Sequence, residues 1–335
     1  MQHFSPDVDG AARPAYMRGA PLIGGSITLY RRRHHAAARG RPGDFMKLAS
    51  YRAHGRESFG AVVGDGAGEG VVDLHTRLKP RFTSVLDLLR LQGGLDAARE
   101  TVRGVRADFP LSEVELLPPL RAPEKILCIG INYANRNADY GDVEVPKYPS
   151  MFYRAPGSLV GHGQNIVRPR ESEQLDYEGE IALVIGRTGR RIAQDDALAH
   201  VAGITLCNEG TIRDWTRHGK FNVTQGKNWD ASGSIGPWIV TADEVDLAKP
   251  LHLTVKLNGE ITQDDTTLSL IKSFAELIGY VSTFMTLKPG DVIVTGTPVK
   301  RGPKNDPPRW LTPGDLVEVS VPQIGTLRNT VIAEP

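Results

Sequence analysis

The run Leu175-Asp176-Tyr177-Glu178-Gly179-Glu180-Ile181-Ala182-Leu183-Val184-Ile185-Gly186 decides how the chain reads. Asp176, Glu178 and Glu180 occupy every second place, so a strand through them projects three carboxylates from one face. Such a row repels itself unless a cation, hydrogen-bond donors or water compensates. A solvated sheet edge would tolerate it, but Ile181 to Ile185 are unbroken apolar residues, the mark of a strand entering a core. The acids are therefore expected at an interior site. Glu209 follows a second apolar run, Ala202 to Asn208, and adds another carboxylate. Hard oxygen donors suit Mg²⁺ or Mn²⁺, with Ca²⁺ a further candidate, whereas zinc prefers His or Cys groups, which do not cluster here.

Outward from this run, short strand-like segments dominate: 125–133, 202–210, 251–259, 290–296 and 314–321. Asn258-Gly259 reads as a hairpin turn, and Pro289-Gly290-Asp291 and Pro313-Gly314-Asp315 each introduce a strand. A helix is predicted over about 268–285 from its apolar stripe and a second near 195–201. Another, begun by Thr83 or Ser84, is interrupted at Gly93-Gly94. Many strands, few helices and no regular βαβ alternation give an α+β class rather than a doubly wound one. The expected division is a small β-rich N-terminal domain over 46–118, a Pro-rich link at its end, and a catalytic domain over 119–335.

The 335 residues carry 40 Lys+Arg against 39 Asp+Glu, a net charge of +1 that removes the electrostatic case for nucleic-acid binding. Two cysteines, Cys128 and Cys207, exclude a disulfide framework and favour a reducing, cytoplasmic setting. No apolar run reaches the ~20 residues of a membrane span. Residues 1–45 are Arg-rich and acid-poor. Their few hydroxyls fit an organelle-targeting leader poorly, so a disordered extension is expected.

Taken in order, Gly130–Gly141 (GINYANRNADYG), Ala155–Gly163 (APGSLVGHG), the acidic run, Cys207–Trp215 (CNEGTIRDW), Gly226–Thr241 (GKNWDASGSIGPWIVT) and Met285–Pro298 (MTLKPGDVIVTGTP) form a series that resembles the fumarylacetoacetate hydrolase family. The likeness covers about 46–332. It implies that family's mixed β-sandwich roll with a small N-terminal domain, a homodimer, and Mg²⁺ or Mn²⁺ held by Glu178, Glu180 and Glu209. The last place more often carries Asp. Lys227 matches a lysine that stabilises enolate charge, and Arg213 with Asp214 an ion-pair scaffold. Thr297 and Gly296 match a loop that holds the substrate carboxylate, while Tyr133 and Arg154 line the same cleft.

The resemblance implies a small 2-oxo acid as substrate, chelated so that its carbonyl is polarised and an enolate stabilised. The leading expectation is hydrolytic cleavage of a C–C bond in an acylpyruvate-type 2,4-dioxo acid, in aromatic or sugar-acid catabolism. The second is isomerisation, tautomerisation or decarboxylation of an unsaturated 2-oxo diacid, and the third a silent metabolite-binding member. Hydrolytic members carry His and Glu where this chain has Arg136 and Asp139, and Gln where it has Thr216. A guanidinium is no general base at neutral pH. Asp139, His218 or His162 would then have to activate water, whereas Arg136 suits a second substrate carboxylate.

Overall fold

The structure, a computed structural model, describes residues 46–64, 66–134, 147–219, 222–300 and 309–335. The expected extension over 1–45, and Arg136 and Asp139, lie outside them. Among the described residues a twelve-stranded mixed sheet is accompanied by a five-stranded sheet and a two-stranded ribbon.

The middle of the large sheet runs Gly233–Thr241, Val201–Asn208, Gly179–Ile185, Val292–Val294. Gly179–Ile185 pairs antiparallel on both edges, with Glu180 opposite Cys207 on one and Ala182 opposite Val294 on the other. All its seven residues are buried. Ile181, Leu183 and Ile185 pack into one core with Leu253, Val255 and Val319 of the five-stranded sheet. Ala182 and Val184 join a second core with Phe59, Leu88 and Cys128. Two covered faces are why this strand reads as continuously apolar.

The strands of residues 46–118 belong to the same large sheet: Lys47–Ala53 pairs with Gly233–Thr241 through Lys47 opposite Val240 and Leu48 opposite Ile239. Ser84 caps Val85–Arg90, and a second helix, Gly94–Val102, starts at the second of the two glycines with Gly93 as its N-cap. The hairpin of His252–Leu257 and Glu260–Thr266 turns at Asn258 and Gly259, both at positive φ as such a turn requires. The segment near 195–201 forms a 3₁₀ helix, Gln194–His200.

The helix predicted from 268 starts later, at Phe274, and ends at Phe284. Leu270 is drawn out to bridge Tyr133, and Ser273 with Glu276 closes a reciprocal cap that sets the start. The acidic run departs from expectation too. Leu175–Asp176 pairs with Thr211–Ile212, Tyr177 and Glu178 belong to no strand, and the ladder resumes at Gly179. A side chain on Gly179 would lie 2.2 Å from Val255 Cγ2, so glycine there lets the two sheets close on each other beside the acids.

Candidate functional site

Because the ladder breaks at Tyr177-Glu178, the acids do not share one strand face. Glu178, Glu180 and Glu209 converge, each offering a carboxylate oxygen within 4.8 Å of the others. All three are buried, at 4%, 1% and 1% exposure. Glu178 and Glu209 are held by the main chain: the Glu209 N–H donates to Glu178 O at 2.7 Å, and the Glu178 N–H to Asn208 Oδ1 at 3.0 Å. Glu180 accepts from the Gly296 N–H at 2.5 Å. Gly296 sits at φ +101°, and a Cβ on it would fall 2.7 Å from that of Asn132. Asn132 in turn donates to Thr295 O and Lys272 O, which ties this loop to the start of the 274–284 helix.

Asp176 goes elsewhere. It pairs with Arg213 Nε at 2.8 Å and with Lys300, and burial's upward push on its carboxyl is outweighed by these two cations, so it stays below its usual range. Arg213 also reaches Glu178 Oε1 at 2.6 Å, the expected scaffold role. Lys227, on the one-turn helix Thr224–Lys227, lies 2.7 Å from Glu209 Oε2 and 2.5 Å from Glu178 Oε2. Burial would discharge it, but the two carboxylates hold its pKa up, so it remains an ammonium.

Arg154, expected to line the substrate cleft, is fully buried and engaged behind Glu209. Its Nη1 donates to Glu209 Oε1 at 2.8 Å and to Gly210 O at 2.7 Å, while Nε and Nη2 bind Ser158 and Ser232. It positions the glutamate. Thr297 is likewise committed: its hydroxyl donates to Gly179 O at 2.9 Å and accepts from Gln263 Nε2 at 2.9 Å. Tyr133 is buried, and desolvation, with Asp265 and Glu180 adding, pushes its phenol above the ordinary range, so it keeps its proton. His218 is exposed and packs against Trp215 at 4.0 Å between ring centroids, the planes tilted by 38°. His162 accepts from the Arg328 N–H.

Three residues that sequence alone did not single out complete the site. Thr211 donates to Glu178 Oε2 at 3.0 Å. Asn208 fixes Glu178 through its main chain. Gln263, wholly buried, takes the Gly179 N–H and clamps Thr297 and Pro298. Only an inward polar residue on an alternating strand hinted at Gln263.

Charge decides what the cluster suits. Four acids, Asp176, Glu178, Glu180 and Glu209, face four bases, Arg154, Arg213, Lys227 and Lys300. Glu180 touches none of those bases. Burial, then Glu209 and Glu178, push its carboxyl well above the usual range. A dication among the three glutamates gives Glu180 the cation partner it lacks, so the donor set fits a hard divalent metal.

A family model described as Fumarylacetoacetate (FAA) hydrolase C-terminal matches residues 125–332. Oxaloacetate tautomerase Fahd2a, mitochondrial, of Rattus norvegicus is 35% identical over 289 residues, 86% of this chain and 92% of that one. Oxaloacetate tautomerase YisK of Bacillus subtilis is 40% identical over 228 residues, 67% and 75% of the two chains. A solved structure of a probable 2-hydroxyhepta-2,4-diene-1,7-dioate isomerase from Mycobacterium abscessus superposes with TM-score 0.71 at 31% identity, covering 87% of this chain and all of that one. No helix among the described residues is long and apolar enough to cross a membrane.

Proposed function

Since the chain belongs to the fumarylacetoacetate hydrolase family, we propose that it is a divalent-metal-dependent tautomerase or isomerase of a 2-oxo dicarboxylic acid, of the oxaloacetate type. The observation that carries this is the buried trio of Glu178, Glu180 and Glu209 with the Lys227 ammonium beside it: a dication there, together with that ammonium, suits the carboxylate and the developing enolate of a 2-oxo acid. The names of the relatives support the same choice over C–C hydrolysis. So does the placing of two of the groups thought able to activate water: His218 packs against Trp215, and His162 Nδ1 accepts from the Arg328 N–H.

Glu178, Glu180 and Glu209 would hold Mg²⁺ or Mn²⁺, and when bound it would supply Lewis-acid polarisation of a 2-oxo carbonyl and stabilisation of enolate charge. Around it the protein's own groups fix geometry and protons. Lys227 pairs with Glu178 and Glu209 and would set an ammonium beside the oxygen where enolate charge develops; held protonated, it is a poor base. Tyr133 offers a phenol that keeps its proton as a donor. Arg154, Gln263 and Thr297 hold Glu209 and the Gly179 backbone in place. Arg136 is assigned to the second substrate carboxylate and Asp139 to proton transfer. Homodimerisation is proposed from the family resemblance, and a reducing, cytoplasmic location from the two free cysteines.

The test is the ultraviolet absorbance of enolic oxaloacetate during its conversion to the keto form, with Mn²⁺ added or chelated. Acceleration that needs Mn²⁺ and disappears in Glu178→Ala supports the proposal. Metal-dependent CO₂ release without faster ketonisation would move it to decarboxylation.

A further inference from the structure

We propose that Asn228 is a positioning residue: its carboxamide fixes the Lys227 ammonium relative to Arg154, so that Glu209 is gripped from both sides. Its bearing on the reaction rests on the enolate role given to Lys227 above.

The two cations hold different oxygens of one carboxylate, Arg154 Nη1 on Glu209 Oε1 at 2.8 Å and Lys227 Nζ on Oε2 at 2.7 Å. They come from separate elements. Arg154 directly follows the strand Met151–Tyr153, which pairs with Ile126–Ile129 and ends the large sheet. Lys227 closes the one-turn helix Thr224–Lys227, whose start no side chain caps. A single turn is too short to hold its own shape, so its place has to be set by what it docks on.

Asn228 does the docking. Its Nδ2 donates to Tyr153 O at 3.2 Å, and its Oδ1 accepts from the Ala155 N–H at 2.6 Å. Nδ2 also donates to Thr224 O at 3.1 Å, the carbonyl at the start of its own helical turn. Two carbonyls and one N–H admit one orientation of the amide. Residues 153 and 155 present these groups on the outer edge, while the Arg154 N–H between them turns inward to Ile126 O at 3.0 Å. The carboxamide therefore pairs with this edge as the peptide of a parallel strand would, and no strand covers the edge among the described residues.

A two-point bond fixes register as well as distance. It places Arg154 inside the clamp and Lys227 one residue from it. The ammonium also lies over Phe152 of the same strand, 5.0 Å from the ring centroid, so a slip of the turn along the strand moves it off both ring and carboxylate.

Reductive methylation of the full chain with formaldehyde and cyanoborohydride, read by peptide mass spectrometry, tests this without reference to the reaction. Lys227 is 6% exposed and paired with two acids, so it should be methylated slowly in the wild type. Asn228→Leu, which keeps the bulk, and Asn228→Ala should each raise its rate roughly tenfold, the worth of one or two lost hydrogen bonds. Lys125, paired with Asp291, should be unchanged. In the ketonisation assay both variants should lower kcat about tenfold with KM nearly constant, and Asn228→Leu should lower it no further in a Lys227→Met background. No faster methylation of Lys227, an equal rise at Lys125, or an effect of alanine that leucine does not share would each overturn the proposal. A wild type inert toward oxaloacetate would strike the catalytic reading alone, and the methylation rates would still decide the role of Asn228.

Discussion

The two halves of one run, Leu175 to Glu180 and Ile181 to Ile185, are adjacent and buried to similar depth, yet they stand on opposite sides of the energy balance. The apolar half is laddered on both edges and packed on both faces, and every atom it buries favours folding. The acidic half leaves the ladder at Tyr177-Glu178 and buries charge that has to be matched by Arg213, Lys227 and Lys300. Burial of that kind breaks even at best against apolar replacement. One half holds the fold, and the other is a cost retained for what it binds.

Substitutions can break or sharpen this contrast. Glu180→Gln should have the largest effect, an activity loss on the order of 10³-fold with Mn²⁺ binding lost in a calorimetric titration. The metal-free melting temperature should hold or rise, since a carboxylate that burial and two neighbours disfavour has gone. Leu183→Ala inverts the pattern: about 3 kcal/mol of stability lost in denaturant unfolding, with activity per folded molecule unchanged. A Leu183→Ala protein as stable as wild type would end the distinction between the halves. At the boundary, Gln263→Leu strands the Gly179 N–H and frees Thr297, and is expected to cost about 2 kcal/mol together with a roughly tenfold fall in rate.

The smallest effect comes from an acid outside the run. Burial raises the Asp315 carboxyl, but the Thr312 N–H, Asn258 and the Thr312 hydroxyl outweigh it and hold its pKa below the usual value. Its stabilisation is therefore present above about pH 4, the unfolded value, and is lost as pH falls through the lower folded one. Asp315→Asn should cost up to about 1 kcal/mol at pH 7 and progressively less in acid. An acid that is satisfied supports the fold, unlike Glu180.

Local signals carried most of the fold to the surface of the sequence. Asn258-Gly259, Ser84 and the Gly93-Gly94 break all act within a few residues, and the structure follows them. The meeting of Glu178 and Glu180 with Glu209 was expected from the family resemblance, while the apolar runs beside Glu180 and Glu209 marked these acids as interior. What period-two spacing did not reveal was the ladder break that sends Asp176 to Arg213 and Lys300, since the pairing of Leu175–Asp176 with Thr211–Ile212 is set 35 residues away. The duties of Arg154 and Gln263 were hidden for the same reason: their partners are 55 and 84 residues distant, and neither sits in a local pattern that names a partner.

The central claim is that the buried glutamates serve enolate chemistry on a 2-oxo diacid rather than hydrolysis. The most direct measurement is ¹H NMR of two parallel reactions in D₂O with Mg²⁺, which is diamagnetic, one holding oxaloacetate and one an acylpyruvate. Accelerated deuterium entry at the methylene carbon of oxaloacetate, abolished in Glu180→Gln, with the acylpyruvate intact, is the expected result. Release of pyruvate and a free carboxylic acid from the acylpyruvate, with no gain in exchange on oxaloacetate, would contradict it.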